Sequence, residues 1–470
     1  MKKILKTFGV VFFALCYLFM VSACSGVADK GGYGGGYGGA YGEGVYGDAT
    51  LDKDAALDGV TGGETLPEGG EGVEDGEGVE GGEGEEVLPD ESTSEVEPDI
   101  IEKPAGLITA GAWNDNDNYE YWKEQFSQEE QSDSEGGTTS VSMGKFYAYS
   151  SEDKSWGFNS LYRVKVTVKN GENAVAGAQV VAKDGQGKAL FKAVSDASGV
   201  AYLFTDERTG TVEIVSGEGK ANAEFTAENR EITVNLEQNE AKKDIIELMF
   251  VVDVTGSMGD ELSFLNNEIS DVVSRVAAQH ANAQIHLALL FYRDYSDKEI
   301  FKYHDFVDVT DAEGLAAVKA AIAAQKATGG GDYAEAVEDT LAMATEKQWS
   351  DGATTKIIFQ VLDAPPHGKA SNKENMHAAV MAAAEKGIRV CPVICSGADT
   401  LTEYVMRQAA IYTGGTFVFV TDDSGIGNPH YDPNLPNVTV EALNSLMVRL
   451  INGYHSGEFA EPIDWRQEVK

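Results

Sequence analysis

Three segments in the C-terminal half of this 470-residue chain end in side chains that carry oxygen donors. The apolar run DIIELMFVVD ends in Asp253, and Thr255 and Ser257 follow at alternate positions. The run KIIFQVLD ends in Asp363, and the glycine-rich loop TGGGD ends in Asp332. Carboxylates and hydroxyls, with no histidine or thiolate among them, suit hard ions such as Mg²⁺, Mn²⁺ or Ca²⁺ rather than zinc or copper. These residues therefore predict a site for a divalent cation.

The elements that must position these side chains alternate between apolar strands and amphipathic helices. The strand-like runs include DIIELMFVVD, QIHLALLFY, KIIFQVLD, IRVCPVICS and GTFVFV, and helix-like segments separate most of them. Near-continuous apolar strands joined by helices predict a parallel sheet covered on both faces, which is a doubly wound α/β domain over residues 243–456. In this fold, ligands bind beyond the carboxyl ends of the strands, where the strand order switches. We therefore expect the three oxygen-bearing segments to meet at one edge of the sheet.

Four blocks in this region resemble the von Willebrand factor A domain with its metal-ion-dependent adhesion site. They occur in the expected order as DVTGSMG, LLFYRDY, TGGGDYAEAVED and VLDAPPHG. The resemblance implies that Asp253, Thr255 and Ser257 form the first metal loop and that Asp363 forms the third. Thr255 stands where serine is usual, a change that keeps the hydroxyl. The cofactor that the resemblance implies is a divalent cation, with Mg²⁺ favoured and Mn²⁺ or Ca²⁺ as alternatives.

For the second metal loop, the resemblance leaves two ligands open. The family's coordinating threonine aligns near Tyr333, so Asp332 is the preferred ligand and Thr328 is the alternative. A directly coordinating Asp332 would neutralise more of the ion's charge and weaken its affinity for a carboxylate. Three further residues are expected to line the rim and to contact a partner: His367, Tyr292 and Arg293.

The same residues also have a purely structural interpretation. Asp253 and Ser257 can cap the following helix, Asp332 can cap another, and the glycines at 329–331 can simply permit a tight turn. Taken singly, each residue fits this interpretation well. Five oxygen donors at strand ends on one rim favour the metal site instead.

The resemblance implies binding without turnover, in adhesion or in the assembly of a complex. The expected partner is a protein or peptide that offers an Asp or Glu carboxylate to the ion. The alternative is a metal-dependent hydrolase with His367 as general base, or a chaperone-like domain that recruits substrates. The sequence shows no Ser–His–Asp set, no paired acid–base carboxylates and no phosphate loop with a lysine.

The N terminus predicts export to the cell envelope. Three lysines precede an uncharged apolar run, which ends in Val-Ser-Ala-Cys24, the arrangement of an export signal. These last four residues resemble the lipobox of bacterial lipoproteins, which implies a signal peptide at 1–23 and an acylated, palmitate-bearing Cys24. The protein would then be anchored by lipid to a membrane, at the outer membrane or the cell surface. The alternatives are an ordinary signal peptide with an incidental cysteine, or an uncleaved anchor.

Residues 24–103 predict a disordered tether. The segment is rich first in glycine and tyrosine and then in glutamate and glycine, so it has almost no apolar surface to bury. Residues 48–102 contain 20 acidic side chains and a single lysine. With a formal charge of −41 for the whole chain, a nucleic-acid partner is excluded, because phosphate backbones are repelled.

The remaining segments predict two smaller ordered parts and a tail. Residues 104–160 form a short, partly helical segment, in which 114–118 can cap a helix, and residues 457–470 form a C-terminal tail.

Alternating short strands predict an all-β sandwich over 161–238, which resembles the carboxypeptidase-regulatory-like and collagen-adhesin B-type domains. This resemblance implies a stalk or presentation role. Some relatives carry an internal Lys–Asn isopeptide bond, but Lys165 and Asn235 are expected to point outward, so no such bond is predicted.

Overall fold

The computed structural model describes residues 107–132, 139–241, 243–351, 355–424 and 429–468. The expected signal peptide, acylated Cys24 and acidic tether lie outside these residues. The chain divides into two compact units, Met1–Ser94 and Glu95–Lys470, and every described residue belongs to the second. Within the described part, none of the helices has the length and apolar character needed to cross a bilayer.

The segment that precedes the sandwich contains two strands of a hairpin, one short helix and one strand that pairs elsewhere. These elements are β1 (Thr109–Trp113), α1 (Tyr119–Glu124), β2 (Gln128–Ser132) and β3 (Thr139–Met143). The side chain of Asn118, at the N-cap of α1, makes no capping bond. The chain turns before the helix because Asn114 Oδ1 accepts the backbone amide of Asn116 at 2.9 Å, an Asx turn.

Eight short strands then form two four-stranded sheets. They are β4 (Arg163–Asn170), β5 (Asn173–Ala174), β6 (Gln179–Lys183), β7 (Ala189–Val194), β8 (Val200–Phe204), β9 (Gly210–Ser216), β10 (Gly219–Phe225) and β11 (Glu231–Asn235). One sheet has the order β10-β9-β6-β7, and the other has β11-β4-β5 with β8 paired to β4. Burial alternates along β4 and β11, so Lys165 and Asn235 lie on the outward side. Tyr162, directly before Arg163 and the other residues of β4, is exposed.

The C-terminal part alternates strands and helices. The strands are β12 (Ile245–Asp253), β13 (Gln284–Tyr292), β14 (Phe301–Asp308), β15 (Thr355–Leu362), β16 (Ile388–Ile394), β17 (Phe417–Val420) and β18 (Glu441–Ala442). The helices are α2 (Gly259–Gln279), α3 (Ala312–Ala323), α4 (Val337–Glu346), α5 (Ala370–Glu385), α6 (Thr400–Thr413), α7 (Leu443–Ser456) and α8 (Trp465–Glu468).

The main sheet has eight strands in the order β14-β13-β12-β15-β16-β17-β1-β18. The pairs from β13 through β12, β15 and β16 to β17 are parallel, and the outer pairs are antiparallel. Separate hydrophobic clusters cover its two faces, one including residues of α2, α3 and α7 and the other residues of α4, α5 and α6. The predicted doubly wound α/β fold is therefore confirmed. Because β13 and β15 flank β12 on opposite sides, the strand order switches at the carboxyl end of β12.

Strand β1 enters this sheet from far away in the sequence. It lies between β17 and β18 and is antiparallel to both. A buried charge cluster next to it fixes the connection, because Arg407 on α6 donates from Nε to Asp115 at 2.9 Å and from Nη1 to Glu403 at 2.8 Å. All three residues are almost completely buried. The segment that contains β1 and Asp115 is thus an integral part of the α/β domain.

The β-sandwich packs directly against α5 and α6. Its core residues belong to the same hydrophobic cluster as one face of the main sheet. Phe204 of β8 stacks on Tyr412 of α6 with ring centroids 4.6 Å apart, and Arg389 of β16 donates to the carbonyl of Val194 at 2.9 Å. The sandwich and the α/β domain therefore share a continuous core.

Candidate functional site

The first and third loops meet where β12 and β15 end side by side. Val252 pairs with Val361 in the parallel register, so the residues that follow them emerge together. Asp253 Oδ1 accepts the Thr255 hydroxyl at 2.6 Å, and that hydroxyl lies 3.3 Å from Ser257 Oγ. The Ser257 hydroxyl in turn donates to Asp363. The structure thus brings all four predicted residues into one chain of polar contacts.

Both carboxylates in this set of contacts have one buried oxygen without a partner among the described residues. Among the residues that the structure describes, Asp253 Oδ2 and Asp363 Oδ1 have no hydrogen-bond partner. Burial and the charge of Asp363 raise the pKa of Asp253 to about 7. Burial raises the pKa of Asp363 to about 6, although the bond from Ser257 opposes the shift. Buried polar atoms are normally paired, so these two oxygens call for a ligand.

The helix-capping interpretation does not account for the first loop. Residues 256–258 form a short 3₁₀ helix, and neither its N-cap, Thr255, nor that of α2, Met258, makes a side-chain capping bond. Asp253 bonds only to Thr255, through its backbone amide at 2.8 Å as well as its hydroxyl, among the described contacts. The second oxygen of Asp253, Oδ2, is therefore available to a ligand.

The glycine-rich second loop is fastened to the first by backbone and side-chain bonds. The amide of Thr328 donates to Val254 O at 3.1 Å, and the amide of Gly256 donates to the carbonyl of Gly329 at 3.2 Å. Asp297 Oδ2 accepts the amide of Gly330 at 3.0 Å. Gly329 and Gly330 both have positive φ, near +84° and +82°, a conformation that other residues rarely adopt.

This loop turns its two acidic side chains into different surroundings. Asp332 is exposed and lies in a group with Asp294 and His367, whose ligand atoms are all within 4.8 Å of one another. Glu335, three residues later, is buried, and its Oε2 has no partner among the described residues. A Cβ placed on Gly330 would lie 3.1 Å from Glu335 Oε1 and 3.5 Å from Thr255 Cβ. Glu335 therefore borders the first loop.

Sequence reasoning missed Glu335, although it is buried close to the first loop. Its backbone is fixed to the third loop, where its amide donates to Pro365 O at 3.1 Å. Burial, followed by the charges of Asp253 and Asp294, raises the pKa of Glu335 to about 9. The sequence did offer a signal for Glu335, because this carboxylate lies in the same loop as the glycines and two residues before α4 begins. Glu335 is thus a third buried carboxylate at this rim.

Two of the three predicted rim residues have other surroundings than expected. Tyr292 is completely buried, so it offers no surface to a partner, and its hydroxyl has no partner in the described part of the chain. Arg293 donates to the carbonyls of Thr328 and Lys326 at 2.9 and 3.0 Å. Arg293 therefore holds the second loop in place. Burial, followed by the charges of Asp253 and Asp363, raises the pKa of Tyr292 well above its usual range.

The donor set fits a hard divalent cation. Two hydroxyls and three buried carboxylates from the three loops converge, and each carboxylate keeps one unpartnered oxygen within the described residues. Oxygen donors of this kind match Mg²⁺, Mn²⁺ or Ca²⁺. A cation bound there would satisfy the unpaired oxygens and neutralise the mutual repulsion of the carboxylates.

The raised pKa values predict how the stability of the metal-free protein depends on pH. Asp253, Asp363 and Glu335 have pKa values of about 7, 6 and 9, above the ordinary 3.8 and 4.5. Between about pH 4 and 9 the folded state therefore binds more protons than the unfolded chain, so stability falls as pH rises through this window. Thermal unfolding in EDTA should show a falling Tm, and the rise in Tm caused by Mg²⁺ should grow with pH.

The control for this prediction is the double variant Asp253→Asn, Asp363→Asn. Its Tm in EDTA should depend less steeply on pH, although repulsion among the other acidic residues remains. A Tm that rises with pH in EDTA, or a Mg²⁺ effect that is the same at pH 5 and pH 8, would contradict the assignment.

Residues 247–421, which begin in β12 and end after β17, match the family model of the von Willebrand factor A domain. The match includes all three loops, and this part of the chain is a domain of that family. A putative ariadne-like RING finger protein of Acanthamoeba polyphaga mimivirus is 30% identical over 131 residues, 28% of this chain. The alignment spans only 12% of that curated relative.

Two solved bacterial structures are also similar. The conserved hypothetical protein BatB from Bacteroides thetaiotaomicron is 15% identical, with coverage of 38% of this chain and 93% of that one, at a TM-score of 0.28. The open conformation of the pilus adhesin SpaC from Lactobacillus rhamnosus GG is 11% identical, with coverage of 71% and 42%, at a TM-score of 0.33.

Proposed function

We propose that the von Willebrand factor A domain of this chain binds one divalent cation, Mg²⁺ first among the candidates, and through it a protein or peptide partner. Asp253, Thr255, Ser257 and Asp363 hold the ion. The observation that carries the proposal is the polar chain of these four residues, with two buried carboxylate oxygens that lack a partner among the described residues. This cluster would be costly to bury without a cation.

In this proposal the second loop contributes Glu335 rather than Asp332 or Thr328. Glu335 is buried beside Thr255, whereas Asp332 and Thr328 are exposed. Burial, followed by the charges of Asp253 and Asp294, raises the pKa of its carboxyl to about 9 in the metal-free protein. A bound cation must therefore displace the proton of Glu335, so cation binding should strengthen as pH rises.

The surface around the ion is suited to a partner that makes both ionic and apolar contacts. Tyr295 and Tyr333, which adjoin the rim, are 38% and 48% exposed. Exposed aromatic rings of this kind are common anchors in protein interfaces. Without the ion, the concentration of Asp and Glu side chains would repel an acidic partner. Binding of such a partner should therefore require the metal.

Selection of peptides from a random displayed library tests this function directly. The full-length chain should enrich peptides with an Asp or Glu side chain in buffer with Mg²⁺, and EDTA should release them. The Asp253→Asn variant should enrich none of these sequences, and Tyr333→Ala should weaken their binding about threefold to tenfold. Enriched peptides that stay bound in EDTA, or that lack a carboxylate side chain, would contradict the proposal.

We further propose that the domain acts at a membrane surface, as an exported lipoprotein acylated at Cys24. The Val-Ser-Ala-Cys24 sequence after an apolar run supports this placement, and the acidic segment that follows gives the domain reach. The sandwich packs against α5 and α6 of the α/β domain. Labelling with a palmitate analogue should mark the unaltered chain and not Cys24→Ala, and equal labelling of the two, or no labelling of the unaltered chain, would contradict the lipid anchor.

A further inference from the structure

A second cluster of metal-ligating side chains lies beside the first site. Asp294, Asp332 and His367 come from three different loops, and one ligand atom of each lies within 4.8 Å of the other two. His367 Nε2 is 2.9 Å from Asp294 Oδ1. We propose that these three residues form a second divalent-metal site, for a transition ion of the class of Zn²⁺, distinct from the Mg²⁺ site at Asp253. The proposal goes beyond the proposed function and does not require the first ion.

The geometry needs only small adjustments to hold an ion. Ligand atoms around a tetrahedral Zn²⁺ lie about 3.4 Å apart, since each is about 2.0–2.2 Å from the metal. The nitrogen and oxygen of His367 and Asp294 would separate by a few tenths of an ångström from their present hydrogen-bond distance. Asp332 is exposed, so its side chain is free to complete the set.

The imidazole is already held in position. Its ring stacks on Tyr295, with centroids 4.9 Å apart and an angle of 22° between the planes. The Tyr295 hydroxyl donates to Glu338 Oε1 at 2.7 Å, and the His367 amide donates to Glu338 Oε2 at 3.3 Å. Glu338 is itself completely buried. A metal-ligating histidine is normally oriented by such surrounding contacts.

Glu335, which belongs to the first site, also lies near the second, because the charge of Asp294 helps to raise the pKa of its carboxyl. Its buried Oε2 has no partner in the part of the chain that the structure describes. Cβ atoms placed on the consecutive residues Gly330 and Gly331 would lie 3.1 Å from Glu335 Oε1 and 3.3 Å from Asp294 Oδ2. The two carboxylates therefore border the same short stretch of backbone. An ion at Asp294 would compensate the charge of that carboxylate.

The ligand types distinguish this site from the first. Imidazole nitrogen favours Zn²⁺, Co²⁺ or Ni²⁺ over Mg²⁺ and Ca²⁺, whereas the first site offers oxygen only. The first site should therefore select Mg²⁺, and the second should select Zn²⁺. A second ion would also add positive charge to an acidic rim, where a partner's carboxylate is expected.

Titration of the metal-free, full-length chain with ZnCl₂ in saturating Mg²⁺ tests the second site. We expect one Zn²⁺ per chain in addition to Mg²⁺, and Co²⁺ in its place should show visible absorption that indicates a nitrogen ligand. His367→Ala and Asp332→Asn should each weaken Zn²⁺ binding at least about tenfold and leave Mg²⁺ binding unchanged. Because Asp332 is exposed, its variant should fold normally.

Two control variants separate the second site from the first and from surface histidines. Asp253→Asn should lose Mg²⁺ binding and keep Zn²⁺ binding, and His286→Ala, a partly exposed histidine on β13, should keep both. Equal Zn²⁺ affinity in His367→Ala, Asp332→Asn and the unaltered chain would overturn the second site and leave the first intact. Loss of Zn²⁺ in Asp253→Asn alone would place Zn²⁺ at the first site and also overturn it.

Discussion

Replacing Asp253 with asparagine should weaken Mg²⁺ binding by at least about 100-fold, since removal of a direct ligand exceeds the usual effect of altering its neighbours. The same change should leave the metal-free protein at least as stable as before. Asp253 is completely buried, and burial raises its pKa to about 7, so its charge opposes folding at neutral pH. Asparagine keeps the shape and removes that charge.

Isothermal titration with Mg²⁺ and Mn²⁺, together with thermal unfolding in EDTA, measures both effects. Glu268→Gln is the matched control, because Glu268 is a buried carboxylate in the middle of α2 whose pKa is also raised to about 7. Its Oε2 likewise has no partner among the described side chains. This control should bind Mg²⁺ normally. Retention of Mg²⁺ affinity within threefold in Asp253→Asn would refute the assignment.

Replacing Asp115 with alanine should lower the free energy of unfolding by about 3–5 kcal/mol. The change leaves the guanidinium of Arg407 buried with one of its two carboxylate partners missing. Burial raises the pKa of Asp115 in spite of that guanidinium, so the pair itself adds little net stability. The expected loss arises from an uncompensated buried charge.

Urea denaturation measures this loss, and limited proteolysis shows where it acts. The segment from β1 to β3 should become the first to be cut, because Asp115 joins it to α6. Lys123→Ala is the control, since it breaks an exposed ion pair with Glu120 of 2.6 Å and should cost less than about 1 kcal/mol. If Asp115→Ala lost no more stability than Lys123→Ala, the segment from β1 to β3 would not be integral to the domain.

The parts of the site that follow regular strands could be predicted from the sequence. Long apolar runs fix β12 and β15, and parallel strands place their carboxyl ends together, so Asp253 and Asp363 were expected to be neighbours. Asp294 was overlooked although its position carries a signal. It lies two residues after the buried Tyr292, and residues two apart in an extended chain share a face.

The second loop could not be predicted in the same way. Gly329 and Gly330 adopt positive φ, and the direction of each following side chain depends on those angles rather than on a repeating pattern. Asp332 consequently faces Asp294 and His367, while Glu335 turns toward Thr255. Such loop geometry leaves no periodicity in the sequence.

Long-range pairing was equally hidden from sequence reasoning. Strand β1 is only five residues long, and its partners β17 and β18 lie more than 300 residues away along the chain. The docking of the sandwich depends on contacts such as the Phe204–Tyr412 stack, which no local pattern reveals. The β-sandwich, for which a stalk role was expected, shares a core with the α/β domain.

Anomalous scattering from crystals of the chain grown with Mn²⁺ would locate the first ion without reference to activity. We expect one strong peak at about 2.1–2.5 Å from oxygen atoms of the first loop and within reach of Asp363 and Glu335. A map with no peak there, although Mn²⁺ is present at saturating concentration, would contradict the central claim that the three loops hold a cation.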